Sequence, residues 1–167
     1  FMSEGILYFI GVDLIDPFAR YKRRCTRATL GLDLHCTLDE WEYDETGSEI
    51  VPPQIAYQPN IMAIDGPQGL ADSPDCGMRL CEQQLGTAGK SPYAFPPFGR
   101  PYAGFVRGSV KLFYSLYRSG RFHLHGMPEI EPSDANLIEV YPGSAWRALA
   151  GHRLEKKTCL NGRKSRY

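Results

Sequence analysis

Four apolar positions in a row, Ile61 to Ile64, run straight into an acid and then a turn in the stretch "NIMAIDGPQGL" (60–70). A short continuous apolar run bounded by turn residues predicts a buried central strand. "LYFIGVDL" (7–14) has the same form and ends in Asp13; its lack of alternation predicts a central strand covered on both faces. "TRATLGLDLHC" (26–36) alternates more, and "TLDEWEYDE" (37–45) alternates with its acids outward. Those two segments predict antiparallel strands running toward a sheet edge. Three prolines break 47–60, so any helix there is short.

"SPDCGMRLCEQQLG" (73–86) predicts a helix begun by Ser73 or Asp75 and stopped by Gly86. The Gly/Pro-rich loop 86–100 contains "GKS", but Gln84 stands where a phosphate loop needs its first glycine and no strand precedes it, so that reading is excluded. "PYAGFVRGSVKLFYSLYRSG" (101–120) is the clearest helix, with Pro101 in its first turn and Gly120 past its end. Phe105, Leu112, Phe113 and Leu116 form its core stripe, which leaves Arg107, Lys111 and Arg118 outside. Residues 135–151 predict a strand, a Pro-Gly turn and a helix stopped by Gly151. This order implies an α/β domain with a mixed sheet, antiparallel at one edge and parallel in the middle.

At 167 residues the chain suits a single domain, 1–167. Nineteen basic residues balance nineteen acidic ones, so net charge neither favours nor excludes a polyanionic partner. The distribution is uneven. "RYKRRCTR" (20–27) and "GHRLEKKTCLNGRKSRY" (151–167) are basic, and "DEWEYDETGSE" (39–49) is acidic. The apolar runs are too short to cross a bilayer and no signal-peptide pattern opens the chain, so no membrane partner is expected. Five cysteines without CxxC spacing fit reduced thiols in a cytoplasmic protein. His123 and His125 lack a third ligand and are read as surface or loop histidines.

Asp13, Asp65 and Glu139 each end a predicted strand, just before a turn marked by proline: "DLIDP", "DGP" and "EVYPG". Each acid taken alone is most simply a turn cap. Three at the ends of parallel neighbours would converge in the crevice where α/β sheets bind ligands. Like charges brought together need a counter-charge, and a divalent cation with oxygen ligands, Mg²⁺ or Mn²⁺, is the usual one. Two such ions can activate water against a phosphodiester. Asp16 is a candidate fourth acid. Arg20, Lys22, Arg163 and Lys164 would then contact phosphates.

The segments "IGVDL", "AIDGPQGL", "MRLCEQQL", "LIEVYPGSAWRAL" and "KKTCLNGRKSRY" resemble domain-of-unknown-function family 429, predicted nucleases of ribonuclease H-like fold, over nearly the whole chain. The resemblance implies a three-layer α/β domain with helices on both faces. Its five-stranded mixed sheet would have the order 3-2-1-4-5, with strand 2 antiparallel. It implies Asp13 and Asp65 as metal ligands, Glu139 at the end of the fifth strand, and Arg79 with Glu82 as a helix pair beside the site, Arg79 reaching substrate. Family members continue past the "GRKSR" region into a helix carrying further acids, which this chain is expected to lack. The expected function is divalent-metal-dependent phosphodiester hydrolysis on nucleic acid, with a homodimer allowed. The competing class is a non-catalytic nucleotide- or anion-binding protein using the same crevice. A purely structural role would rest on the aromatic, Pro-rich loop 92–102.

Overall fold

The computed structural model describes residues 9–14, 16, 24–30, 35–42, 61–87, 91–125, 136–156 and 158–164, with the backbone alone at 24–30, 39–42, 162 and 163. The strands are β1 (Phe9–Asp13), β2 (Arg24–Leu30), β3 (Cys36–Glu42), β4 (Ile61–Asp65), β5 (His123–Leu124) and β6 (Asn136–Val140). The helices are α1 (Leu80–Leu85), α2 (Ala103–Arg118), α3 (Pro142–Ala150) and α4 (Leu160–Lys164). The strands form one mixed sheet in the order β3-β2-β1-β4-β6-β5. β1, β4, β6 and β5 run parallel, while β2 is antiparallel to both β1 and β3.

Two expectations need correction here. The sheet has six strands, because His123–Leu124 adds a short parallel edge beside β6. Two residues are too few to leave a periodic signal. The segment 73–86 is helical only from Leu80. Ser73 and Asp75 instead close a turn, with Ser73 Oγ accepting from the Asp75 N–H at 3.3 Å and Ser73 O from the Cys76 N–H at 3.0 Å. A serine that bonds the backbone two residues on makes a turn as readily as a helix cap.

Within the central strands the two faces differ in how deeply they are buried. Ile10, Val12, Met62, Ile64 and Leu137 are buried, while Phe9, Gly11, Ile61, Ala63 and Ile138 are half-buried. The buried set packs against Leu112, Phe113 and Leu116 of α2, with Phe122 and Leu14 closing the cluster. Fully burying each such side chain contributes about 1.5–3 kcal/mol. α2 follows the 3.6-residue period, so its opposite face carries Lys111, Tyr114 and Arg118 outward. Its packing brings the helix start, at Tyr102, to the carboxyl end of the sheet.

Candidate functional site

The carboxyl ends of β4 and β6 carry a polar cluster built around Arg79, the residue before α1. Glu139 accepts from both ends of its guanidinium: Nη1 reaches Oε2 at 2.6 Å and Nη2 reaches Oε1. Planar, two-pronged pairing of this kind is specific to arginine and carboxylates. Nη2 also donates to Glu82 Oε1 at 3.0 Å and to the Tyr141 hydroxyl. The Tyr141 hydroxyl donates in turn to Glu139 Oε1. The Gln68 N–H, in the turn after β4, donates to Glu139 Oε2 at 2.9 Å.

Glu82 has only 2% of its surface exposed and is held by four donors. They are the Arg79 N–H and Nη2, each at 3.0 Å, the Ser91 N–H at 2.9 Å and Ser91 Oγ at 2.7 Å. The bond from the Arg79 N–H is the helix-start contact of a glutamate at the third helical position. Burial pushes the Glu82 carboxyl up, but the bonds from Ser91 and Arg79 outweigh it and hold the group below the usual carboxylate range. Burial and the adjoining Glu139 carboxylate push the Tyr141 hydroxyl well above the usual tyrosine range. Burial alone would lower Arg79, but Glu139 and Glu82 reverse it and keep the guanidinium protonated. The cluster links the turn after β4, β6, α1, the loop at Ser91 and the start of α3 into one hydrogen-bonded floor.

Above that floor opens a cavity of about 470 Å³. Tyr141, Glu82 and Ser91 belong to the cluster and also line the cavity. Asp65, Thr87 and Ser144 add polar groups, Tyr102 and Phe105 add aromatic surface, and Arg147 and Arg153 add positive charge. Arg147 is oriented from behind, its Nη2 donating to Leu85 O and, at 2.8 Å, to Ser144 Oγ. Tyr102 has a left-handed backbone, φ 64, which side chains other than glycine adopt only at a cost.

Of the three acids at strand ends, the sheet brings two together. Asp13 and Asp65 are register partners on adjacent parallel strands, so their side chains leave the same face. Asp65 lines the cavity and Asp13 is exposed. Glu139 does not join them. It is in register with Ile64, while Asp65 faces Val140, so Glu139 leaves the opposite face and is taken up by Arg79 and Tyr141. A one-residue offset on a strand exchanges the faces. The Asp16 carboxylate lies against Gly104 in the first turn of α2, where negative charge meets the positive helix end. Among the described residues no group of three or more His, Cys, Asp or Glu is placed to hold a metal ion. The expected three-acid metal set is therefore not what the described residues assemble.

Arg79 is nine-tenths buried in the cluster, where its guanidinium is paired with Glu139 and Glu82. Lys164 is exposed on α4, while Arg20, Lys22 and the Arg163 side chain lie outside the described residues. Tyr141, Ser91, Arg147 and Tyr102 were missed in the sequence. Tyr141 carried a signal: two residues after Glu139 on a strand, it falls on the same side. Among the described residues no helix is long and apolar enough to cross a membrane. No family model, curated protein or solved structure matches this chain.

Proposed function

We propose that this chain binds a nucleotide-class phosphate ester in the cavity at the carboxyl ends of β4 and β6. The observation that carries the reading is the pairing, around one cavity of about 470 Å³, of two arginines with the rings of Tyr102 and Phe105. That volume is in the range of small-molecule sites, which are apolar with a few placed polar groups. Arg147 and Arg153 supply the phosphate contacts, the rings take the base, and Asp65 accepts from a sugar hydroxyl or base amine. The buried floor keeps Tyr141 neutral and fixed, so ligand ordering costs little on the protein side. The position at strand carboxyl ends is where open α/β sheets hold ligands. The order β3-β2-β1-β4-β6, with β2 antiparallel, supports the ribonuclease H-like architecture that the resemblance to family 429 implies.

Titration calorimetry with a nucleoside monophosphate and diphosphate tests this. Saturable binding is expected, weakened about tenfold or more in Arg147→Ala, as loss of a charged hydrogen bond implies. Arg153→Ala is the second variant, since Arg153 is exposed and its removal spares the packing. Absence of saturable heat, or binding indifferent to both substitutions, would overturn the reading. A second reading, metal-dependent phosphodiester hydrolysis, is favoured by one observation, the in-register pair Asp13 and Asp65. Among the described residues no three-carboxylate centre is assembled, so no catalytic step is derived from the geometry.

A further inference from the structure

We propose that the loop 91–102 and the outer face of α2 form a platform for single-stranded nucleic acid, whose end enters the cavity at Tyr102. This deepens the cavity reading and rests on it for the class of ligand. Large aromatic residues normally reach the surface singly. Here Tyr93, Phe95, Phe98 and Tyr102 lie within ten positions, with exposures running from 42% for Phe95 to 66% for Phe98. Their rings are presented on a held scaffold. The Arg107 guanidinium lies over Phe95 at 5.0 Å and over Phe98 at 4.6 Å. Its Nε and Nη2 also donate to Pro96 O at 3.3 and 3.0 Å. Rings fixed in this way lose little freedom when a base stacks on them.

The platform continues along α2. Arg107, Lys111, Tyr114 and Arg118 are spaced four, three and four residues apart, which puts them on one stripe opposite the buried Leu112, Phe113 and Leu116. From Arg107 to Arg118 that stripe runs about 17 Å. Tyr114 is 62% exposed between the basic positions. The charge is one-sided: from Gln83 to Pro128 the sequence has six Lys or Arg and no Asp or Glu, although the whole chain balances nineteen against nineteen. Aromatic rings interleaved with cations are what a strand with splayed bases and a phosphate backbone requires. Asp16, an acid that lies against α2, sits at buried Gly104 in its first turn, before the basic stripe begins. A duplex would keep its bases stacked inside and leave the rings without partners, which selects the single strand. Tyr102 closes the path, since it ends the loop, begins α2 and lines the cavity.

Fluorescence anisotropy with labelled oligo(dT) and oligo(U) of about 12 nucleotides tests the platform, alongside a duplex of equal length and heparin as a polyanion without bases. Both single strands are expected to bind more tightly than the duplex. Phe98→Ala and Tyr114→Ala, both at exposed positions, are expected to weaken binding about tenfold each without changing its salt dependence. Lys111→Gln with Arg118→Gln is expected to flatten the log–log salt slope by about 1.4. Single-strand binding no tighter than duplex or heparin, or unchanged by both aromatic substitutions, overturns the proposal. So does sedimentation showing self-association through Phe98 without oligonucleotide binding. Loss of mononucleotide binding sensitivity to Arg147→Ala and Arg153→Ala would instead sink the cavity reading, so the two failures are separable.

Discussion

Glu82 keeps a charge in a place where water cannot reach it, and four donors make that possible. An ionised carboxylate in such a setting is stable only while its bonds are complete. Glu82→Gln leaves one oxygen to accept two of the four bonds without the charge and sets an NH2 donor against the other two donors, while Arg79 keeps Glu139 as a partner. We expect a loss of about 1–3 kcal/mol near neutral pH, read by urea unfolding. The pH dependence should change as well. Because the folded group sits below its ordinary range, its contribution is fully present above the unfolded value of about 4.3. As pH falls below that, the unfolded chain takes up a proton that folded Glu82 refuses, and stability falls until the folded group titrates. The wild type should therefore lose stability more steeply than Glu82→Gln on acidification; parallel curves would contradict the assigned bonds. Half of this arrangement was legible, since Arg79 and Glu82 lie three residues apart at a helix start. Their long-range partner Glu139 was read instead as a metal ligand, because sequence spacing does not say which face a residue takes at a strand end.

At the scale of elements, the join between β4 and α2 depends on a close approach. A Cβ on Gly66 would run into Ser109 Oγ, with Ser109 Cβ at 3.1 Å and Leu14 Cδ2 at 3.2 Å behind it. Both Ser109 and Gly66 are buried, and Ser109 Oγ has no hydrogen-bond partner among the described residues. Gly66→Ala should cost about 1–3 kcal/mol through overpacking. Ser109→Ala removes the nearest atom and a buried unpaired hydroxyl, so it should restore part of that loss in the double variant. Gly69→Ala, with nothing within 4 Å of its Cβ, is the control and should be close to neutral. Thermal melts of the four proteins check this. A double variant no more stable than Gly66→Ala would show that the backbone at Gly66, φ 159, and not the packing sets the cost. The turn at "DGP" was legible from residue types; the helix pressing on it was not, because contact with α2 lies more than forty residues away.

For the whole molecule, the sheet decides which strand ends meet. β1 and β4 are adjacent although the antiparallel pair β2 and β3 separates them in sequence, and this alone puts Asp13 beside Asp65. Adjacent parallel strands lie about 4.8 Å apart, close enough for two carboxylates to repel one another and for one divalent cation to join them. If the metal-dependent reading holds, Mg²⁺ or Mn²⁺ should raise the wild-type melting temperature. Asp65→Asn should abolish that rise while melting slightly higher than wild type in chelator, because a neutral isostere removes the repulsion. A wild-type melting temperature indifferent to both ions, with no gain for Asp65→Asn in chelator, would overturn the metal-dependent reading.

The residue pattern was enough to name the central strands, the long helix with its Leu112, Phe113 and Leu116 face, and the stops at Gly86 and Gly151. These are local matters: hydrophobic period and backbone freedom act over a few residues, and the chain carries them wherever it is placed. Both glycines adopt the left-handed backbone that ends a helix, at φ 59 and φ 70. Register across the sheet is not local. Whether Glu139 stands with Asp65 or behind it turns on a shift of one residue between strands separated by some seventy positions, and no short-range preference encodes that shift. The same holds for the cavity, whose arginines, rings and acid come from β4, α2 and the residue before it, α3 and the segment after it, and meet through the packing of one apolar face of α2 on the sheet.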